Sequence, residues 1–392
     1  MRVAIDVLVA EKEPGGMLFA TRALLAGLAQ IDRKNEYIII TGRPEDYQEL
    51  AIASNMRIHA VQLRSWRGIL LQHQFLLPNI LGRLRPDVLH VPAFAAPLGW
   101  HGPLVITVYD LAFLKMPKQS SLYARLYWQY LLRESVRRAQ RIIVASEQTR
   151  YELINYWEVR PEHIDTVHCA LRPSLRYSTI DAGEIQMMQQ RYGGRYLLHV
   201  GRIMPRKNVE TLIQAFDLLA PRFGDLHLVL TGGAGYGSGK VLQQIEASPH
   251  SERIHLAGWV SDRDLGALYA GARALVFPSK QEGFGLPTVE AMACGTPVVA
   301  SPEAASVEIA GEAVMRADCS DASSLADAIA QVLTDETLRE HLIHLGRTQA
   351  QSFTIEACAE ATHLVYQAAL GFDDPLTLPS SAVDGELAAD FK

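Results

Sequence analysis

The sequence predicts an α/β protein of two doubly wound, Rossmann-like domains that face one another across a cleft. Short β-branched runs alternate with longer helical patterns through most of the chain. The strand candidates are apolar throughout, as in parallel sheets covered on both faces, and do not alternate in polarity. The alternation occurs twice, with an irregular stretch between the two runs. A chain of 392 residues also suits two domains at roughly 100 to 200 residues each, large enough for each to bury its own core.

In the first half the strand candidates are Arg2–Leu8, Tyr37–Thr41, Val88–Val91, Leu104–Tyr109 and Arg141–Ala145, with helices expected at Leu18–Ala29 and Leu122–Arg138. In the second they are Tyr196–Val200, Leu226–Thr231, Ile254–Ala257, Ala274–Phe277 and Pro297–Ala300, with helices at Val209–Leu219 and Ser323–Leu333. The irregular stretch 172–194 reads as a linker, which places the domains at 1–180 and 181–352. A last helix, within 353–371, carries Ile355, Cys358, Ala361, Val365 and Ala368 on one stripe and must dock on another element. Residues 372–392 hold five acids, one lysine and no periodicity, the composition of a disordered tail.

The composition is 48% hydrophobic and 20% charged, and Gly and Pro show no period, so fibrous and collagenous chains are excluded. The net charge of −6 hides an asymmetry: residues 1–175 carry 21 Lys+Arg against 16 Asp+Glu, and the remainder is acidic. Between Leu50 and Pro86 lie five arginines and no acid, which points to an anionic partner such as phosphate, a lipid surface or nucleic acid. The four cysteines are far apart, without ligand spacing, as expected of reduced thiols in a cytoplasmic protein. Asp6 interrupts the apolar N-terminus, which reads as a buried strand and not a signal peptide. No segment is long and apolar enough to span a bilayer.

The strongest chemical signal is Pro278–Ser301, PSKQEGFGLPTVEAMACGTPVVAS. A strand ends at Phe277, a turn with Gly283 and Gly285 follows, and Pro287 suits the first turn of a helix that Gly295 ends. Main-chain amides at Gly283, Phe284, Gly285 and Leu286 would meet an anion with the helix dipole behind them. Glu282 and Glu290 bracket this site. Carboxylates beside an anion site are costly unless hydroxyls donate to them, so the pattern asks for a polyhydroxylated phosphate ligand. A second signal, HVGRIMPRKNVETLI, places Gly201, Arg202, Arg206 and Lys207 where a strand meets a helix. Cations there would stabilise charge gathering on a departing phosphate. A third, weaker by itself, is Gly15-Gly16 between the first strand and its helix, where backbone can approach a ligand closely.

Two look-alikes fail. GGAGYGSGKV has Ala234 and Val241 where a P-loop needs Gly and Ser/Thr. Asp262-Arg263-Asp264 has the form of a metal-binding D-x-D, but it opens a helical run and is better explained by capping from Ser261 or Asp262. No set of metal ligands is apparent, and no metal or other cofactor is expected.

Gly201-Arg202 with Lys207, the Glu282/Glu290 pair in EGFGLPTVEAMACGTPVV, the GWV of Gly258–Val260 and the early Gly15-Gly16 together resemble a GT-B fold, family 4 type glycosyltransferase. The likeness covers roughly residues 1–370. It implies a nucleotide-sugar-binding C-terminal domain, an acceptor-binding N-terminal domain, a last helix crossing back to the latter, and metal-free transfer with retention at the anomeric carbon. By the same resemblance Glu282 would hold donor-sugar hydroxyls, Glu290 the ribose, and Arg202 and Lys207 the diphosphate. Gly283 to Leu286 would supply amides, and Val260 would meet the base through its main chain.

His90–Pro97 and Thr107–Pro117 look most like bacterial polysaccharide mannosyltransferases, which makes GDP-mannose the first expectation for the donor and a glycan or lipid-linked molecule for the acceptor. One position departs from the family pattern: the segment that often reads T-x-H-D-L is here Thr107-Val108-Tyr109-Asp110-Leu111. Tyr109 would replace the histidine as a donor to sugar or phosphate, with Asp110 retained. It stays neutral near pH 7, its reference pKa being about 10. A catalytically silent nucleotide-sugar binder and a nucleotide-sugar epimerase are the alternatives. Arginines interleaved with Trp, Tyr, Phe and Leu in Arg64–Arg85 and Leu122–Arg141 suggest peripheral contact with the inner face of the cell membrane. Nucleic acid has no motif behind it.

Overall fold

The computed structural model describes residues 1–12, 15–62, 69–93, 95–116, 128–175, 180–302 and 305–371. The expected acidic tail, Arg64 and Arg67, and the first part of the helix expected at Leu122–Arg138 lie outside the described residues. Within that helix, Trp128–Leu132 and Arg133–Arg138 are helical.

Two wholly parallel sheets form the frame. The first contains β1 (Arg2–Asp6), β2 (Glu36–Thr41), β3 (Met56–Ala60), β4 (Val88–Val91), β5 (Leu104–Val108), β6 (Arg141–Val144) and β7 (Ile164–Thr166), in the order β3-β2-β1-β4-β5-β6-β7. The second contains β8 (Arg195–Val200), β9 (Leu226–Thr231), β10 (Ile254–Gly258), β11 (Ala274–Phe277), β12 (Val298–Ala300) and β13 (Val314–Arg316), in the order β10-β9-β8-β11-β12-β13. Strand order reverses between β1 and β4 and again between β8 and β11, and ligands of open α/β sheets bind at such switch points.

Every residue of β5 and β11 is buried, which is why these strands are apolar on both faces. Helix Val209–Leu219 buries Val209, Leu212, Ile213, Phe216 and Leu219, a spacing that lays one face on the sheet. A fully buried Phe such as Phe216 contributes roughly 1.5–3 kcal/mol by leaving water, and its truncation costs about 3–5 kcal/mol.

The structure adds three strands that the apolar pattern does not reveal: β3, β7 and β13. All three are sheet edges. An edge strand has a partner on one side only, so β3 keeps Arg57 and His59 in its sequence, and β7 and β13 have three residues each. The stretch read as an irregular linker also contains a helix, Ala182–Arg191, whose N-terminus is capped by Asp181 accepting from the amides of Gly183 (2.8 Å) and Glu184 (3.2 Å).

The last helix, Ile355–Ala369, lies against helix Gly16–Ile31 and strands β5 and β6 of the first sheet. Tyr366 on it is fully buried and pairs with His90 Nδ1 at 2.7 Å. The domains also touch directly. Glu308 accepts hydrogen bonds from the main-chain amides of Glu147 (2.7 Å) and Gln148 (2.9 Å), which open helix Glu147–Trp157 of the other domain. A carboxylate at a helix N-terminus is favourably placed against the dipole. Among the described residues no helix is long and apolar enough to cross a membrane.

Candidate active site

The site forms where the loops after β8 and β11 meet at the cleft. The loop after β8 runs through Gly201 (φ 143°) into the short turn Pro205–Lys207. Asn208 then takes a left-handed conformation (φ 55°) and anchors its side-chain amide on the Cys319 carbonyl at 2.6 Å. That turn aims Lys207 inward. The Arg206 carbonyl accepts from the Lys280 amide at 2.9 Å, which ties this loop to the one after β11.

Glu282, in the second loop, is buried and receives Lys207 Nζ at 2.5 Å and Arg206 at 3.4 Å. Burial works to raise its pKa, but Lys207 and Arg206 outweigh it and hold the carboxyl below its usual range. Burial lowers the Lys207 pKa, with Glu282 opposing. The Lys207 ammonium also lies 4.7 Å from the centre of the Phe277 ring. Arg202 is exposed at the same strand end, outside this pair.

After Glu282 the chain turns through Gly283, Phe284 and Gly285 into helix Leu286–Ala293, whose N-terminus has no side-chain cap. Gly285 is left-handed (φ 85°), and a Cβ there would come within 2.5 Å of Ser306. Gly283 has a different reason to lack a side chain: a Cβ would overlap the carbonyl of Tyr109 in the other domain and approach Asp110 to 3.1 Å. Phe284 turns away from the cleft into the core, edge-on to Phe353 at 5.7 Å. Across the cleft a Cβ on Gly16 would touch Leu286 at 3.4 Å, so the early glycine turn abuts the same loop. Gly15 precedes helix Gly16–Ile31 in extended conformation.

Glu290, one turn inside its helix, is also buried and also paired. Arg172 donates to its Oε1 through Nε (3.0 Å) and a terminal nitrogen (2.5 Å), and the Tyr269 hydroxyl donates to Oε2 at 2.8 Å. Burial raises its pKa above the usual carboxylate value, against the pull of Arg172. Neither glutamate is the unpaired carboxylate awaiting ligand hydroxyls that the sequence pattern implies. Each has cationic partners within the chain, because a lone buried carboxylate is too costly.

Asp110 caps the turn that follows β5, accepting from the Ala112 amide at 3.0 Å, and its charge acts on both Arg206 and Lys207. Tyr109 divides its contacts. Its carbonyl accepts from Thr149 Oγ1 (3.0 Å) and backs onto Gly283, while its ring packs against Ala10, Leu18 and Ala93. Burial pushes its phenol well above its ordinary pKa, so it is neutral.

Ser261 caps helix Asp262–Gly271 by accepting from the Asp264 amide at 3.2 Å, which accounts for the D-x-D. Val260, Ser261 and Asp262 line a pocket of about 330 Å³ that Phe19, Arg22 and Arg43 close from the other domain. Arg172 and Tyr269 are the site residues the sequence did not disclose. Arg172 lies in the apparent linker, and Tyr269 reads as an ordinary helix-core residue.

The same two halves appear in comparisons with known proteins. Residues 187–349 match the model of the family described as glycosyl transferases group 1, and residues 14–175 match that of glycosyltransferase family 4. The chain is 33% identical over 282 residues to the O-antigen chain mannosyltransferase B of Escherichia coli, covering 68% of this chain and 74% of that one. It is 27% identical over 222 residues to the serotype-specific mannosyltransferase WbdA of Escherichia coli, covering 55% of this chain but 27% of that longer protein. The crystal structure of Anabaena HepE in complex with UDP-glucose superimposes with a TM-score of 0.76 at 18% identity, over 94% of this chain and 100% of that one, a likeness of fold. With two facing parallel-sheet domains, the Glu282/Glu290 loop and helix between them, and these relatives, the chain belongs to the family 4 type glycosyltransferases of the GT-B fold.

Proposed function

We propose that this glycosyltransferase is a retaining, metal-independent hexosyltransferase that moves mannose from GDP-mannose to a glycan or lipid-linked acceptor in cell-surface polysaccharide assembly. The observation that carries the reading is the Arg206–Lys207–Glu282 cluster, with Asp110 of the other domain acting on both cations. The Glu282 carboxylate pairs with these cations. An arriving diphosphate competes for them, and Glu282 is then free to accept hydrogen bonds from sugar hydroxyls.

In the transfer step the bond between the anomeric carbon and the β-phosphate oxygen breaks, and the acceptor oxygen bonds that carbon from the same face. The acceptor proton passes to the departing phosphate, so no protein base is needed. Arg202, Arg206 and Lys207, together with the amides from Gly283 to Leu286, take up the charge that develops on the phosphate, the role a metal ion fills elsewhere. Gly201 gives the phosphate-facing loop its turn, Glu290 holds the ribose, and Val260 meets the base. Gly15 and Gly16 let the acceptor domain's main chain approach the donor, and Tyr109 contributes through its main chain.

The choice of mannose rests on the likeness to the mannosyltransferases and on the His90–Pro97 and Thr107–Pro117 segments. The protein works in the cytoplasm and touches the membrane's inner face through helix Ile69–Leu84, where Phe75 is 74% exposed and Arg83 is exposed nearby. A screen of GDP- and UDP-sugars for hydrolysis and transfer tests the activity. Turnover of GDP-mannose that Glu282→Ala and Lys207→Ala abolish is the expected result. Saturable binding of a nucleotide sugar with no turnover, even with acceptors supplied, would identify a silent binder instead.

A further inference from the structure

Arg172 follows β7 and the crossing segment between the two sheets, where the Leu171 amide is held by the Phe353 carbonyl at 2.9 Å. From there its guanidinium reaches three elements. It forks onto Glu290 Oε1 (3.0 and 2.5 Å), donates to Asp262 Oδ1 (2.6 Å), and lies 4.4 Å over the Phe19 ring of the N-terminal domain. Its side chain is 13% exposed and that of Glu290 only 4%.

A carboxylate offers about four acceptor positions. Both positions on Oε1 are taken by Arg172, and one on Oε2 by Tyr269. One acceptor position therefore remains on Glu290, at Oε2. The same guanidinium fixes Asp262, the first residue after the Val260–Ser261 segment that lines the cleft pocket. Arg172 thus sets both sides of the nucleoside end of the site, and Phe19 covers it from the acceptor domain.

We propose that Arg172 is the positioning residue for ribose recognition: by saturating Glu290 Oε1 it leaves Oε2 as the single acceptor for one ribose hydroxyl. This rests on the assignment of Glu290 to the donor ribose made above. A hydroxyl donating to a charged, oriented carboxylate separates ribo- from deoxyribonucleotides by roughly tenfold or more.

The test is calorimetric binding of GDP and its 2′-deoxy and 3′-deoxy forms, with the UDP series in parallel, to the full-length chain and to Arg172→Met, Arg172→Lys and Glu290→Gln. The wild type should prefer the ribo form by about tenfold or more over one deoxy form, and Glu290→Gln should lose that preference. Arg172→Met should lose it as well, with deoxynucleotide binding changed less than about threefold. Arg172→Lys keeps the charge without the fork, so it should retain the fold and lose at least part of the preference. Equal weakening of ribo and deoxy forms in both Arg172 variants would reduce Arg172 to a structural prop and overturn the proposal, as would an undiminished preference. A wild type without any preference would remove Glu290 from the ribose and the proposal with it.

Discussion

Gly283 and Tyr109 meet main chain to main chain across the cleft, and no side chain fits at Gly283 without displacing the Tyr109 carbonyl. Asp110 and Thr149 flank this contact from the N-terminal domain, and Glu282 precedes it in the C-terminal one. The loop after β11 and the N-terminal domain are therefore in main-chain contact at a point where, on the proposed reading, both would face the transferred sugar.

Gly283→Ala should hold the domains apart at this point while leaving each core intact. Transfer is expected to fall by about 10²-fold, the cost of a misplacement on the order of 1 Å, with a melting temperature close to wild type. Initial rates alongside a thermal melt check this. An alanine variant with full activity would mean that the contact is not part of the working state.

The Lys207–Glu282 pair is buried on both sides. Removing either partner strands the other charge, at a cost of about 3–5 kcal/mol in stability, whereas removing both is much milder. Urea denaturation of Lys207→Met, Glu282→Gln and the double variant gives the coupling energy. Additive single effects would contradict a direct pair.

The two site glutamates respond to acid in opposite order. Glu290, with its carboxyl raised by burial, takes up a proton before an ordinary carboxylate as pH falls from neutrality. Glu282, held low despite burial by Lys207 and Arg206, takes one after. The stability Glu282 contributes is thus present above the ordinary carboxylate range and is lost only as pH falls through its depressed value. Glu290 binds more protons folded than unfolded, so its part of the stability rises on acidification through the window between its ordinary and its raised value. Nucleotide binding followed against pH should weaken with the earlier step, and Glu290→Gln should remove that step. A binding profile unchanged by Glu290→Gln would show that another group controls it.

Tyr109→Phe removes the hydroxyl and leaves the main-chain contact with Gly283 in place. The expected result is a stability change below about 1 kcal/mol with turnover within about threefold of wild type. A drop of about 10²-fold in kcat would show instead that the hydroxyl turns to the sugar or phosphate during the reaction.

Neutralising Arg64, Arg67, Arg83 and Arg85 together should reduce flotation with vesicles containing anionic lipid, and more so at low salt, since each basic residue near such a surface contributes about 1 kcal/mol. Unchanged flotation would count against membrane contact.

The central strands were legible because burial on both faces leaves a continuous apolar run, as in β5 and β11. Edge strands such as β7, with Asp165 in the middle of three residues, carry no such run. The Glu282/Glu290 spacing was legible because both residues belong to one turn and helix. Their partners were not. Arg172 reaches Glu290 across 118 positions, and the Lys207–Glu282 pair spans 75, separations that only the folded sheets bring together. Tyr109 was legible as a departure from the family pattern, yet the packing of its ring depended on Leu18 of helix Gly16–Ile31 lying beside it.

The most direct measurement of the central claim is the rate of mannose transfer from GDP-mannose by the wild type and by Glu282→Gln, on samples shown by near-UV circular dichroism to be equally folded. The account predicts transfer by the wild type and a fall of about 10²-fold or more in kcat for the variant. Equal rates in the two proteins would contradict a donor site built around Glu282.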